Sequence, residues 1–365
     1  MLLNLTILPG DGIGPEVTEQ AVLILRAVTD SFGHQLQLQS KNIGGAALAA
    51  VEDPLPADTI QACLSSSAVL MGAVGNPKFD HYPNHLRPEA GLLRLRRELG
   101  AYANLRPAIC FPALEDSSPL RPELVRGTDI MIVRELLGGL YFGEPRSITG
   151  AAGSRLATNT MTYGEAAIER IARVAFDLAM KRRKKVLSVD KANVLECSRL
   201  WREVVIRCAK DYPEVQLSHT YVDSAAMYLV QRPKDFDVLL TENMFGDILS
   251  DQAGGVVGSL GLLASASIGG PVGLYEPVHG SAPDIAGKGI ANPLGAILTV
   301  ALLLRHSFQL EQEAECIENA VSTVLNQGIR TADLVPAGQA AASTSEMGKR
   351  VISEIRAKVR NLQMQ

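Results

Sequence analysis

Asp247 and Asp251 stand four residues apart in the stretch Thr241-Glu242-Asn243-Met244-Phe245-Gly246-Asp247-Ile248-Leu249-Ser250-Asp251. On a helix that spacing puts both on one face, one turn from each other. Like charges so placed repel by roughly 0.2–0.5 kcal/mol on an open surface. In a cleft the repulsion grows, and a hard divalent cation reverses its sign. A third carboxylate, Asp223, closes the strand-like run Val215–Val222. A solvated helix face accounts for the pair taken alone; the three together make a candidate Mg2+ or Mn2+ site.

Cations and proton carriers stand in other stretches. Arg94, Arg96 and Arg97 precede Ala103-Asn104-Leu105-Arg106-Pro107, and Arg134 ends an apolar run beside Glu135. Arginines at strand ends suit bidentate capture of carboxylates, although any one of them alone reads as surface charge. Tyr141, in Gly138-Gly139-Leu140-Tyr141-Phe142-Gly143-Glu144-Pro145-Arg146, is a candidate proton donor. Lys191 stands two positions past the run Val186–Val189 and is a candidate base beside a metal. From Glu276 to Pro293 small residues allow backbone N–H groups to approach phosphate oxygens. Within it, Asp284 suits ribose hydroxyls and repels a 2′-phosphate. Gly10-Asp11-Gly12-Ile13-Gly14-Pro15 fails the dinucleotide fingerprint, because the third glycine comes one position early and Pro follows it. A tight strand-to-helix turn explains it better.

The elements that must position these groups read as an alternating α/β chain. Strands are predicted at Leu5–Leu8, Ala68–Val74, Ile130–Val133, Val186–Val189, Val215–Val222 and Phe236–Leu240, and helices at Pro15–Phe32 and Val194–Lys210. The region Leu298–Met364 reads as mostly helical, and Gly254–Gly273 as packed loop and helix. With 365 residues the chain has room for about two domains. A net charge of −4 argues against a nucleic-acid surface. The one basic run, Lys181–Lys185, ends a helical pattern, where the helix C-terminus favours cations. Five scattered cysteines without a Cys-x-x-Cys pair indicate reduced thiols. No apolar run is long enough to span a bilayer, so a soluble cytoplasmic protein is expected.

Six ordered motifs carry a resemblance that runs nearly end to end. They are Gly10–Glu16, Ala103–Pro107, Tyr141–Arg146, Val189–Val194, Asn243–Asp251 and Gly280–Gly287. Together they resemble the β-decarboxylating dehydrogenases of the isocitrate/isopropylmalate dehydrogenase family. The resemblance implies two α/β domains on one long mixed sheet, not a Rossmann fold: residues 1–101 with 258–365, and residues 102–257. It implies oxidation of the C2 hydroxyl of a malate derivative by NAD+, followed by loss of the β-carboxylate. The implied substrate is 3-isopropylmalate, an intermediate of leucine biosynthesis.

By the same resemblance, Asp247 and Asp251 hold Mg2+ or Mn2+ together with Asp223 from a second copy, in a homodimer with shared sites. Lys191, also from the second copy, is the implied base and Tyr141 the implied acid. Arg96, Arg106 and Arg134 are implied to hold the substrate's carboxylates; Arg94 and Arg97 flank the matching position and are not carried over. Glu276, His279, Gly280, Ser281, Ala282, Asp284, Ile285 and Asn292 are implied to hold NAD. Leu92, Leu93 and Val194 suit an isopropyl group, where relatives acting on isocitrate carry polar residues. A sibling acting on D-malate or tartrate, and a non-catalytic regulator with the same fold, are the competing expectations. Intact Tyr141, Lys191 and the three aspartates weigh against the regulator. Leu137, Cys197 and Ala264 depart mildly from the pattern, and Cys197 is expected to make the site sensitive to thiol reagents.

Overall fold

The computed structural model describes residues 1–363 apart from Ala337, and the side chains as far as residue 360. Among the described residues twelve strands form in chain order: β1 Leu2–Gly10, β2 Gln35–Ser40, β3 Ala68–Ala73, β4 Ala103–Ile109, β5 Asp129–Glu135, β6 Ser147–Thr149, β7 Leu156–Thr158, β8 Lys185–Asp190, β9 Gln216–Tyr221, β10 Val238–Thr241, β11 Ala266–Ile268 and β12 Gly273–Tyr275. Ten join one sheet in the order β2-β1-β3-β12-β11-β4-β5-β10-β8-β9. Both ends of it are parallel, and the middle, from β12 through β11 and β4 to β5, is antiparallel. This is the long mixed sheet that the resemblance implies. β6 and β7 pair only with each other, in a small ribbon whose Ile148 and Leu156 lie open to solvent.

Apolar runs become buried strands where expected: every residue of β3 and of β10 is buried. Helices at Gly14–Phe32 and Glu196–Ala209 match the expected ones to within two residues at each end. The C-terminal region is helical at Leu294–Phe308, Glu311–Asn326 and Thr344–Gln363. Gly254–Gly273 holds a short strand, β11, besides the packed helix end and turn. The expected helix cation cluster is spent locally. Lys181 caps the helix Glu165–Met180, Arg182 pairs with Asp129 and Asp237, and Lys184 pairs with Glu214.

The first glycine-rich turn is a packing device. Asp11 is buried and accepts the N–H groups of Gly45, Ala46 and Gly75. Gly12, at φ +58°, lies so close to the loop after β12 that a Cβ there would sit 2.0 Å from the Ser281 carbonyl oxygen. No side chain fits at that approach. Among the described residues all five cysteines are free, and no helix is long and apolar enough to cross a membrane.

Candidate active site

Antiparallel pairing of β4 with β5 sets Asn104 opposite Arg134, and parallel pairing of β5 with β10 sets Arg134 beside Thr241. The helix Asn243–Val257 starts just past β10 and lays its first turns over the ends of these strands. Gly246 makes that possible: a Cβ there would lie 2.7 Å from Arg134 Cγ and 2.8 Å from its Cβ. Arg134 is only 1% exposed, and its guanidinium donates to an Asp247 oxygen. Arg106, two residues from Asn104 and on the same face of β4, donates through Nε to Asn104 Oδ1 at 2.7 Å. Its terminal nitrogen reaches Ser250 Oγ at 2.6 Å and one oxygen of each of Asp247 and Asp251 at 3.4 Å. The two aspartates are therefore side by side, as their spacing predicts. Tyr141 completes the cluster, its hydroxyl donating to Asp247 Oδ2 at 2.7 Å.

Burial would raise the Asp247 carboxyl, but Arg134 and Arg106 outweigh it and hold the group below the ordinary carboxylate range. Asp251 moves the other way: burial raises it, and Arg106 only partly offsets that and the nearby Asp247 charge. Burial and the bond to Asp247 push the Tyr141 hydroxyl up to about 12. Tyr141 is thus protonated throughout the neutral range.

Arg96 stands in the helix Pro88–Glu98, 8% exposed, and donates to Glu276 Oε1 at 2.6 Å. Its Nε is buried without a partner. Arg94 instead turns to Asp53, and Arg97 lies over the Phe142 ring. Leu92 and Leu93 are half-buried on the same helix. In the loop after β12, burial lowers the His279 imidazole below its ordinary range. Its Nδ1 lies 3.0 Å from the Gly280 carbonyl oxygen, which assigns the ring hydrogen there. Nε2 remains a buried acceptor without a partner. Gly280 faces open space, with no atom within 4 Å of a Cβ built on it. Asp284 is exposed, Ser281 is buried, and Ala282 and Ile285 lie between those extremes. Asn292 is committed inside the chain: it donates to Asp333 and accepts from the Leu294 N–H, which leaves one amide hydrogen.

The remaining expected residues lie elsewhere. Lys191 pairs with Asp223, a partner that holds the Asp223 carboxyl low. Val194, in the turn after β8, is 62% exposed. Among the described residues no three His, Cys, Asp or Glu side chains of one chain are grouped to hold a metal ion.

Asn104, Ser250 and the Arg96–Glu276 pairing had no assigned role in the sequence. Asn104 and Ser250 do sit inside quoted motifs, two positions from Arg106 and one from Asp251, and two-residue alternation along a strand pairs Asn104 with Arg106. The Arg96–Glu276 contact spans 180 positions and has no local signal.

A family model described as isocitrate/isopropylmalate dehydrogenase matches residues 4–351. The chain belongs to that family. It is 56% identical over 346 residues to a 3-isopropylmalate dehydrogenase of Geobacillus kaustophilus, covering 94% of this chain and 93% of the relative. The identity is 53% to the enzyme of that name in Halalkalibacterium halodurans, covering 98% of both chains. Among solved family structures, an isocitrate dehydrogenase of Methylococcus capsulatus superposes with a TM-score of 0.86 at 36% identity, covering 97% of this chain and 99% of that one. A β-decarboxylating dehydrogenase of Thermococcus kodakarensis superposes at 0.79 and 35%, covering 100% and 99%.

Proposed function

We propose that this chain catalyses NAD-dependent oxidative decarboxylation of (2R,3S)-3-isopropylmalate to 4-methyl-2-oxopentanoate and CO2, a step of leucine biosynthesis, in the cytoplasm. The observation that carries it is the cluster of Arg106, Arg134, Tyr141 and Asp247, in which two buried cations, a high-pKa hydroxyl and a carboxylate converge. Two carboxylates of a malate derivative need such cations, and the carbon losing CO2 needs an acid that stays protonated until carbanion character develops. Curated relatives above 50% identity with the 3-isopropylmalate dehydrogenase name support the same substrate.

The adjacent oxygens of Asp247 and Asp251 fit a hard cation, and the orphaned His279 Nε2 with the open Gly280 fits a polar cofactor. Mg2+ or Mn2+ at the aspartates would supply polarisation of the C2 oxygen, and NAD would supply the hydride acceptor. Arg96, Arg106 and Arg134 bind and orient the substrate carboxylates. Lys191 of a second copy accepts the C2 hydroxyl proton. After CO2 departs, Tyr141 delivers its proton to the enolate carbon. Glu276, His279, Gly280, Ser281, Ala282, Asp284, Ile285 and Asn292 form the NAD loop, with Asp284 selecting against a 2′-phosphate.

The working unit is a homodimer. Lys191 and Val194 sit in the loop after β8, and Asp223, instead of closing a strand, stands exposed in the first turn of the helix Val222–Gln231; exposed Met227, Val230 and Ile248 lie on that helix and on Asn243–Val257, which carries Asp247 and Asp251. An apolar face there suits a second copy that brings Asp223 to the aspartate pair. Residues 1–101 with 258–365 form the domain of the NAD loop, and 102–257 that of the dimer face. Leu92, Leu93 and Val194 line the isopropyl pocket; isocitrate would leave a carboxylate unpaired there, at a cost of several kcal/mol.

NAD+ reduction is measured with 3-isopropylmalate, D-malate and isocitrate in parallel, with Mg2+ and with chelator. Chelator-sensitive turnover of 3-isopropylmalate is expected. Preference for either other acid overturns the substrate, and silence with all three overturns the activity.

A further inference from the structure

Asn243 occupies a junction that the roles above leave unexplained. Its side chain is fully buried. Oδ1 accepts from Arg134 twice, from Nε at 3.0 Å and from a terminal nitrogen at 2.8 Å. Nδ2 donates twice, to the carbonyls of Leu136 at 3.1 Å and Gly138 at 3.0 Å. The amide therefore uses both lone pairs and both hydrogens.

The geometry follows from strand order. Thr241 is the register partner of Arg134, so a residue two positions further along the chain arrives over the guanidinium. Arg134 has its Nε edge fixed by Asn243, and its other terminal nitrogen is turned to Asp247. Gly138 leads directly into the turn Gly139–Tyr141. The Asn243 backbone is itself held, its N–H donating to the Tyr163 hydroxyl, which donates in turn to Glu242. Glu242 accepts the N–H groups of Met244 and Phe245 at the start of the helix that bears both aspartates.

We infer that Asn243 is a positioning residue: its one amide locks the orientation of Arg134 and the path of the Tyr141 turn to the first turn of the aspartate helix. The inference rests on the proposed roles of Arg134 in binding and Tyr141 in proton transfer. Its two halves are separable. Asp at this position keeps the acceptor for Arg134 and replaces two donors by a lone-pair oxygen facing two carbonyls. Ala removes both.

The test compares Asn243→Asp and Asn243→Ala with the parent, in steady-state kinetics and in crystal structures. Asn243→Asp is expected to leave the KM for 3-isopropylmalate within about twofold and to lower kcat by about 10- to 100-fold, the scale of an ångström-level misplacement. Its crystal structure should show Arg134 in place and the turn 138–141 displaced. Asn243→Ala should raise KM as well. A variant that unfolds at lower temperature but keeps parental kcat and KM makes Asn243 merely structural and overturns the inference. So does an Asp variant whose KM rises while kcat holds. If Ala prevents folding, the nearly isosteric Asp variant decides. If the parent itself fails to turn over 3-isopropylmalate, the proposed function falls, while the crystal structures still test the positioning: an unmoved turn 138–141 overturns it.

Discussion

Two groups of proposed catalytic residues differ in how their own chain treats them. Arg106, Arg134 and Tyr141 pack against the helix that bears Asp247 and bond to it; the arginines hold Asp247 low, and burial with the Asp247 bond raises Tyr141. Lys191 and Val194 stand in the loop after β8 and Asp223 in the first turn of the helix Val222–Gln231, with Asp223's side chain 63% exposed and only a Lys–Asp pair between them. A surface pair of that kind is screened by water and holds neither side chain firmly. The first group is preorganised before any ligand or partner arrives; the second has no such surroundings within its own chain and, in the proposed dimer, would gain them by association. On the proposed dimer, folding and assembly contribute different halves of the same chemistry.

The largest effect should come from breaking each half in a different chain. Asp247→Ala and Lys191→Ala homodimers should each lose on the order of 10²–10³-fold or more in kcat. Mixed after dissociation and reassociation, the two variants should recover about a quarter of parental activity, because half the dimers are hybrids with one intact site of two. No recovery in verified hybrids would place Lys191 and Asp247 in the same chain's site. Next in size is Gly246→Ala, which forces a methyl into the stem of Arg134. A fall of about tenfold in kcat/KM for 3-isopropylmalate is expected, and unchanged kinetics would mean that Arg134 tolerates displacement.

A smaller contrast is internal to the enclosed half and appears with pH. Asp247 is held low by its arginines, so its contribution to stability is present above the unfolded carboxylate value of about 3.9 and lost as pH falls through its lower folded value. Asp251 is raised, mainly by burial; its charge costs stability at neutral pH, and protonation relieves that cost. Mn2+ affinity should therefore begin to weaken on acidification at a pH where Asp247 and Asp223 remain charged, led by Asp251. Titration calorimetry from pH 7 to 4 checks this; in Asp251→Asn the weakening should move to lower pH, and an unmoved profile would assign it to another group. The smallest effect concerns Cys197, which is half-buried beside the Met161 carbonyl while the other four thiols are buried. It should be the first thiol alkylated, as peptide mapping would reveal, and Cys197→Ser should change kcat by less than about twofold.

The same contrast governs what could be read from the chain. Strands such as β3, β5, β8 and β10 announce themselves as apolar runs because both faces are covered. β2, Gln-Leu-Gln-Leu-Gln-Ser, is a half-exposed edge strand with weak hydrophobic signal, and β11 and β12 are three residues each, so none was evident. That Asp247 and Asp251 share a helix face was legible from spacing, while spacing alone does not separate a site from a solvated face. Arg106 and Arg134, named through the resemblance, do bond to that pair, whereas spacing alone does not separate Arg94, Arg96 and Arg97, which differ by rotation about one helix and each find a different partner. Asn104 and Ser250 matter through cross-strand and helix-to-strand contacts, which exist only once the order of β4, β5 and β10 is known.

Strand order also has a consequence for synthesis. β3 and β4, with 29 residues between them, are not neighbours; the gap between them is closed by β12 and β11, made about 160 residues after β4. On the ribosome, β5, β10, β8 and β9 can all emerge and pair while β3 and β4 still present bare edges. Completion of the sheet waits for Ala266–Tyr275, and until then the nascent chain carries two open edges that a chaperone, or a second nascent chain, is able to find first.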